Sequence, residues 1–462
     1  MPRRAPLRRA ALALCLALSA AAVACATYSD RTEAARAALQ SGDLAGGERA
    51  LNKLLKVRSS EALPEKWGKE TALTLLERAM VLRALGAHKL SSRDLSAAEK
   101  QLELLDIARD GAGKLGKYVF SDSATNYKSP PAEKLVLNAI NMLNYVALGD
   151  LSGARVEAKR FTVMRRYFDD YAPDRAHGAF GSYLAGFVHE QLGEPEAALR
   201  YYEEALAERD FQGLHAPIAR LAAATGFRGP RVLAALGQPT DPAKAPPSQG
   251  ESAPPPAQGE LLVVLSVGRV PYKIPERIPI GAAIGLGAAH ITGDTTLLEH
   301  GLFKVVIYPE LTPSGAPYDR GRLWIDGTEH PLELASNLEA EIIAEYADLR
   351  PKIIGAAITR LIVRAAAAEA ARAAGQQSKS NSGLVGFLAA AAVEGSMVAA
   401  DRPDTRSWTL LPARVYIARV PVAAGAHHLE VEASGPGGHE RRRADLTVPP
   451  RGYAVLDVTT LR

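Results

Sequence analysis

Apolar residues recur three and four positions apart from Ser29 to about Leu236, in a stretch rich in Ala, Leu, Glu and Arg. This spacing is the period of amphipathic helices. Glycines separate the helical stretches at spacings of 44, 63 and 44 residues, at Gly42, Gly86, Gly149 and Gly193. Because the spacing is unequal, the pattern predicts helical hairpins with variable insertions rather than a strict tandem repeat.

The clearest hairpin runs from Tyr183 to Leu206 and turns at Gly193. Small or aromatic residues stand where its two helices would meet, at Gly186, Ala198, Tyr202 and Ala205. The pattern resembles a tetratricopeptide repeat, in which small residues let the helices approach and an aromatic side chain fills the wedge between them. The hairpin around Gly149, with Ala154, matches in part. We therefore predict a tetratricopeptide-like helical domain over residues 29–236.

A proline-rich segment follows the helical half. Residues 237–260 contain seven prolines among Ala, Ser, Gln and Gly, which predicts a flexible, partly extended linker. After it, the apolar run Leu261–Leu265 predicts a buried strand, and three regularly spaced prolines require Val267–Ile280 to be extended or looped. Two further segments have the composition of strands, Lys304–Tyr308 and Arg322–Ile325.

Two long segments of the second half are predicted to be helical. Leu338–Ala374 carries apolar residues along one helical face, and Pro351 is expected to kink this helix or to begin a second one. Gly383–Ala400 is apolar enough to suggest membrane contact, but it contains Glu394 and three glycines. We interpret it as a helix packed inside the domain, with a transmembrane segment as the alternative.

Apolar and polar residues alternate along four segments near the C-terminus, Arg414–Val420, His428–Ala433, Arg442–Val448 and Tyr453–Thr459. Alternation with a period of two is typical of strands with one buried face. Turn residues separate the segments, so we predict an antiparallel β-meander over about residues 413–460, forming one layer of a small sandwich. The fold class is therefore multidomain, with an α-helical hairpin array followed by a mixed α/β domain over residues 261–462.

The N-terminus has the pattern of an export signal. Arginines precede an apolar run of 15 residues, Ala10–Ala24, which is short for a bilayer span and typical of a signal peptide over residues 1–24. The run ends in Ala22-Val23-Ala24-Cys25, which resembles a bacterial lipobox with alanine in place of the usual leucine. The resemblance implies a lipid on Cys25 and a lipidated N-terminus over residues 25–28. The alternative is an ordinary signal peptide with Cys25 incidental.

Composition and charge narrow the class of protein. The chain has 462 residues, of which 47% are hydrophobic and 23% charged, which excludes a disordered chain or a disulfide-stapled miniprotein. Its net charge of +4 equals the charge of four leader arginines, Arg3, Arg4, Arg8 and Arg9. The mature chain is thus nearly neutral and gives no reason to expect nucleic acid as a partner. Removal of the leader also removes Cys15, so the mature chain would have no cysteine other than the lipidated Cys25. A chain without a free thiol suits an oxidising periplasm.

Motifs of known catalytic and metal sites are missing from the sequence. None of the ten histidines has a metal-binding spacing such as His-Glu-x-x-His, and no Gly-x-Ser-x-Gly elbow is present. The glycine-rich stretch Gly281–Gly287 lacks the Lys-Ser/Thr pair of a phosphate loop, so we interpret it as a flexible loop. We therefore predict no cofactor, no metal and no catalytic residue.

One polar cluster is distinctive. Asp401 precedes the motif Asp404-Thr405-Arg406-Ser407-Trp408, which is followed by Leu411-Pro412-Ala413-Arg414. An arginine between small hydroxyls and beside a tryptophan can hold a carboxylate or stack on a ring. The interpretation we favour is structural: the loop is locked onto a sheet, with Arg406 paired to Asp401 or Asp404.

The same motif, with Val270-Pro271-Tyr272-Lys273 and Leu148-Gly149-Asp150-Leu151, resembles a family of proteobacterial envelope lipoproteins. The resemblance covers most of the mature chain, and the tryptophan motif is its most specific part. It implies a lipid anchor, a repeat-like half, a mixed C-terminal half and no established activity. Ala26 after the cysteine, where sorted lipoproteins of the inner membrane carry aspartate, favours the outer membrane by the same kind of similarity.

Stacked helical hairpins form a surface that usually holds a peptide or another protein. We therefore expect a non-enzymatic scaffold in an envelope assembly, facing the periplasm, with protein partners, no nucleic acid and only its lipid in the membrane. Candidate exposed groups follow one helix, at Arg155, Lys159, Arg160, Arg165 and Arg166. The alternatives are that these residues form a solvated charged face, and that the array only packs against the C-terminal half.

Two other functions remain open from the sequence. An envelope enzyme acting on glycan or peptide would need a cleft that joins Arg406 and Asp404 to a carboxylate such as Glu345 or Glu341. A carrier of a hydrophobic ligand, suggested by the apolar stretch Gly383–Ala400, would need an internal cavity.

Overall fold

The computed structural model describes residues 26–102, 127, 129–171, 178–240, 258–292, 305–315, 318–376 and 403–462. The leader 1–24, Cys25, Asp401, most of the linker and the apolar stretch Gly383–Ala400 lie outside these ranges. What the sequence predicts for those segments therefore stays a prediction.

The N-terminal part is built of helices that pair as hairpins, which confirms the prediction from periodicity. The helices are α1 (Tyr28–Gln40), α2 (Leu44–Leu55), α3 (Thr71–Ala84), α4 (His88–Glu99), α5 (Pro131–Ala147), α6 (Leu151–Tyr171), α7 (Ala179–Gln191), α8 (Pro195–Glu208), α9 (His215–Thr225) and α10 (Pro230–Ala235). The predicted turn glycines join α1 to α2, α3 to α4, α5 to α6 and α7 to α8, with φ of 85°, 74°, 72° and 74°. Glycine adopts this left-handed conformation without strain, which is why the hairpins turn at these residues.

The C-terminal part is a β-sandwich with added helices. Its elements are β1 (Gln258–Val267), β2 (Tyr272–Pro279), α11 (Ile280–Gly287), β3 (Val305–Thr312), β4 (Arg320–Ile325), β5 (Thr328–His330), β6 (Glu333–Asn337), α12 (Leu338–Gln376), β7 (Arg414–Ala423), β8 (Gly425–Gly435), β9 (Gly438–Val448) and β10 (Tyr453–Thr459). One sheet has the strand order β10-β1-β7-β6, and a second has the order β5-β4-β8-β9. Strands β2 and β3 form a separate antiparallel pair. The two larger sheets enclose a common core that includes Val263, Leu323 and Val431.

Strand β1 lies between the sandwich core and the helices. Leu261 and Val263 belong to the core between the sheets, whereas Leu262 and Val264 belong to a core that they share with Phe187 of α7 and other helical residues. Successive side chains of a strand point to opposite faces, so an unbroken apolar run fits a strand covered on both sides. The helical array therefore packs directly on the C-terminal half.

The predicted C-terminal meander is wrong. Strands β7 and β10 flank β1 in one sheet, where β10 runs parallel to β1, while β8 and β9 belong to the other sheet. Alternation of apolar and polar residues identifies each strand. Which strands pair with each other depends on contacts with distant segments of the chain, which alternation does not specify. The structure keeps the sandwich and distributes the four strands over both of its layers.

Three smaller predictions also need correction. Gly281–Gly287 forms part of α11 rather than a loop, and Gly287 at its end permits a close approach to α12: a Cβ there would lie 2.8 Å from the Gly355 nitrogen. Leu338–Gln376 is a single helix that contains Pro351, so the option that Pro351 begins a second helix is wrong. The linker ends earlier than predicted, because β1 already begins at Gln258 to pair with β7.

Candidate functional site

The predicted repeat-packing residues have two different roles. Ala154, Ala198, Tyr202 and Ala205 are fully buried between helices. Gly186 is needed for close packing, because a Cβ there would lie 2.4 Å from the Tyr202 ring. The other two, Gly149 and Gly193, are exposed and set the hairpin turns through their positive φ.

Replacing Ala198 with phenylalanine is expected to lower the free energy of unfolding by about 1–3 kcal/mol, because the added ring overpacks a filled helix contact. The same substitution at Ala207, an exposed alanine of the same helix, is the matched control and should leave it nearly unchanged. Chemical denaturation followed by circular dichroism measures both. Equal effects of the two substitutions would contradict the assignment of Ala198 to the contact.

The basic residues predicted along α6 divide into two groups. Three arginines form ion pairs with glutamates outside α6: Arg155–Glu194 at 3.1 Å, Arg160–Glu99 at 2.6 Å and Arg165–Glu208 at 2.7 Å. Of these three, Arg160 is exposed. Lys159 and Arg166 are exposed together with Val156 and Val163, whose exposed fractions are 49% and 64%. Residues three and four apart lie on one side of a helix. Val156, Lys159, Val163 and Arg166 thus form an outward-facing row, the α6 stripe.

The tryptophan motif begins with an internal ion pair. The Arg406 guanidinium donates to both carboxylate oxygens of Asp404, from Nε at 2.7 Å and from Nη2 at 2.6 Å. The same guanidinium lies 5.9 Å from the centre of the Tyr127 ring. Thr405 Oγ1 accepts a hydrogen bond from the Ser29 N–H at 3.3 Å. Arg406 is thus paired with Asp404, one of the two partners expected, but the motif is bound to the first helix rather than to a sheet.

Two buried glutamates of the helical array bind the end of the motif. Glu133 of α5 accepts a hydrogen bond from the Trp408 N–H at 3.1 Å. Glu77 of α3 accepts three, from the N–H and hydroxyl of Thr409 and from the N–H of Leu410, each at 2.8 Å. These side chains satisfy backbone donors that would otherwise be buried without partners. Neither glutamate was predicted from the sequence to bind the motif, since each is followed by a basic residue, Arg78 or Lys134, and so has the pattern of a solvated charged pair.

Burial changes the protonation of these carboxyl groups. Desolvation raises the pKa of Glu77 to about 7, although its three hydrogen bonds act in the opposite direction. Desolvation also raises the pKa of Glu133. A carboxyl with a raised pKa in a cleft is a candidate acid or base. Here Thr409 and Leu410 of the motif donate to both carboxylate oxygens of Glu77, so the Glu77 carboxyl binds the loop rather than a substrate.

The remaining motif residues join this region to the sheets. Pro412 is buried, and Leu411 beside it accepts a hydrogen bond from the Val270 N–H at 3.0 Å. Arg414 begins β7 and donates to Glu339 of α12 at 2.8 Å. The two C-terminal segments that resemble the lipoprotein family, residues 270–273 and 404–414, are therefore neighbours in the structure.

A small cavity of about 60 Å³ lies beside the motif. Its lining includes Lys273, Glu345, Ser407 and Trp408, but not Arg406. In the described part of the chain, Ser407 Oγ and Trp408 Nε1 have no hydrogen-bond partner. The cavity is far below the roughly 300 Å³ of a typical ligand pocket, and it does not join the residues that the enzyme alternative requires.

A second polar cluster connects the two halves through Arg419 of β7. Its guanidinium donates to Glu190 of α7 at 2.7 and 2.9 Å, to Glu260 of β1 at 2.6 and 2.9 Å, and to the Tyr202 hydroxyl at 2.9 Å. Burial alone would raise the pKa of Glu190, but the charge and hydrogen bonds of Arg419 lower it below its ordinary value. Both ionised groups are therefore present together at the interface.

Comparison with known proteins finds no matching family model, no matching curated protein and no matching solved structure. Among the side chains that the structure describes, no group of three or more His, Cys, Asp or Glu is placed to hold a metal ion. The helices of those same ranges include none with the length and apolar character of a membrane span.

Proposed function

We propose that the protein is a non-enzymatic lipoprotein of the outer membrane, anchored through Cys25 and facing the periplasm. Its helical array is tetratricopeptide-like and docks a protein partner within an envelope assembly. The α6 stripe is the observation that carries the docking proposal, because it leaves two valines exposed on a helix whose other side is well packed. Exposed apolar side chains grouped on one face are typical of protein interaction sites.

Two further observations support a scaffold over an enzyme. Arg406 and Asp404 bind each other, and Thr405 between them binds the first helix, so this part of the motif connects segments of the fold. The side of the array that faces the sandwich is filled by Leu262, Val264 and their neighbours. A partner would therefore approach the opposite, outward side, where the α6 stripe lies. The contact of Gly186 with Tyr202 supports the tetratricopeptide-like assignment.

Replacing Cys25 with serine is expected to release the protein from membranes into the periplasmic fraction, because the thiol is the proposed site of lipid attachment. Cell fractionation of the tagged variant and the natural chain, followed by immunoblotting, measures the distribution. Arg58→Ser, an exposed substitution in the mature chain, is the control and should stay with the membranes. Continued membrane retention of Cys25→Ser would contradict the anchor.

Mild crosslinking in cell envelopes, followed by affinity capture and mass spectrometry, tests the docking proposal. The natural chain is expected to capture a stoichiometric partner, and the double variant Val156→Glu/Val163→Glu is expected not to capture it. The control is Val363→Glu on α12, because Val363 has the same exposed fraction as Val163, 64%. The proposal fails if the stripe variant retains the partner, or if the natural chain captures none.

A further inference from the structure

The first helix is fixed to the body of the protein directly after the proposed anchor. Ser29 is 3% exposed and donates from its N–H to Thr405 Oγ1 at 3.3 Å. Only Ala26 lies between Cys25 and Thr27, which caps α1. Two Cα–Cα steps reach at most about 7 Å. A lipid on Cys25 therefore holds this end of the molecule at the bilayer surface.

The loop between α2 and α3 lies at the same end. Arg31, in the first turn of α1, forms an ion pair with Glu70, the last residue before α3. Two large apolar side chains of this loop are exposed, Leu63 by 38% and Trp67 by 39%. The nearest charged neighbours of Trp67 in sequence include the exposed residues Lys66 and Lys69.

We propose that Leu63, Lys66, Trp67 and Lys69 form an anchor-side face that binds the surface of a lipid bilayer. The inference rests on the proposed function for the lipid at Cys25. Tryptophan favours the boundary between headgroups and acyl chains, where its ring is buried and its N–H stays hydrated. Lysines beside it extend their methylene groups along the apolar surface and bring their ammonium groups to lipid phosphates.

The charge of the loop determines how strong this contact is. Glu61 and Glu65 are exposed in the same loop and offset the lysines. Electrostatic attraction alone is therefore weak, and the contact depends on the high local concentration that a short tether provides. The untethered chain should leave Trp67 in water, whereas the tethered chain should place it in the interface.

Quenching by brominated lipid measures the position of Trp67. The chain from residue 26 carries a hexahistidine tag in place of Cys25 and is bound to phosphatidylethanolamine–phosphatidylglycerol vesicles that contain nickel-chelating lipid. Trp324→Phe leaves two of the three tryptophans, Trp67 and the fully buried Trp408. Brominated vesicles should remove most of the Trp67 emission relative to otherwise identical unbrominated vesicles. The additional substitution Trp67→Phe should abolish this difference and leave the melting temperature unchanged.

Moving the tag to the C-terminus provides the matched orientation control. Arg462 lies beside Gly42, since a Cβ on Gly42 would be 3.5 Å from Arg462 Nε. Gly42 follows the far end of α1, whose 13 residues span about 20 Å. This tether should leave Trp67 unquenched. Quenching with both tethers, or with neither, overturns the anchor-side face. Because the nickel tether does not depend on lipidation, the quenching experiment tests the anchor-side face separately from the lipid anchor. If the native protein carries no acyl chain on Cys25, the proposed function is overturned instead.

Discussion

Replacing Arg419 with methionine is expected to lower the free energy of unfolding by about 3–5 kcal/mol, the cost of removing one partner from a buried ion pair. The guanidinium is 2% exposed and binds Glu190 and Glu260, which are 5% and 18% exposed. Without it, Glu260 loses its counter-charge, Glu190 keeps only Arg220, and the Tyr202 hydroxyl loses a donor. Because these groups belong to α7, α8 and β1, the loss weakens the contact between the helical array and the sandwich.

Arg322→Met is the matched control for Arg419→Met. Arg322 also pairs with a glutamate, Glu329, but both side chains are 50% exposed. Exposed pairs contribute about 0–1 kcal/mol, so the control should change stability little. Urea unfolding of both variants at neutral pH measures the difference. If the two variants lose similar free energy, Arg419 does not hold the halves together as its geometry indicates.

The second large effect concerns pH and Glu77. Burial raises the pKa of this carboxyl from an ordinary value of 4.5 to about 7. Between these two pH values the carboxyl is protonated in the folded protein and ionised in the unfolded chain. The stabilisation is complete below pH 4.5 and is lost as the pH rises through about 7. With about 1.4 kcal/mol for each pKa unit, Glu77 lowers the free energy of unfolding by about 3 kcal/mol across this range.

Glu77→Gln isolates this contribution, because glutamine does not titrate. Its amide nitrogen would face the Leu410 N–H, which lowers stability by an amount independent of pH. The prediction therefore concerns the slope: between pH 5 and 8 the natural chain loses more free energy of unfolding than the variant. Glu133 also has a raised pKa and remains in both proteins, so it cancels from the comparison. Parallel profiles would show that Glu77 does not titrate in this range.

The helical half could be predicted from the sequence because its signals are local. A period of three to four residues identifies each helix, and one glycine marks the turn within each of the four predicted hairpins. The β-rich half was predictable only as separate strands. The partners of β1 lie about 160 and 190 residues later in the chain, and alternation does not encode such pairing. Gly281–Gly287 was misinterpreted because a close helix crossing and a loop both favour glycine.

The same distinction applies to the tryptophan motif. Asp404 and Arg406 are two residues apart, and their pairing was one of two options visible in the sequence. The partners of Trp408 and Thr409 lie 275 and 332 residues away, at Glu133 and Glu77. The available signal was a glutamate and a basic neighbour within an otherwise apolar stretch of helix. It indicates a buried carboxylate but not the backbone that the carboxylate binds.

The parallel pairing of β1 with β10 has a consequence for the order in which the chain matures. Each residue of β1 from Glu260 to Ser266 pairs with a residue about 190 positions later, in the last strand. Contacts of such long sequence separation form slowly. A chain in synthesis thus exposes an edge of β1 until the segment 453–459 has been made. A chain truncated before Tyr453 would keep this edge unpaired and would be prone to proteolysis and to edge-to-edge association.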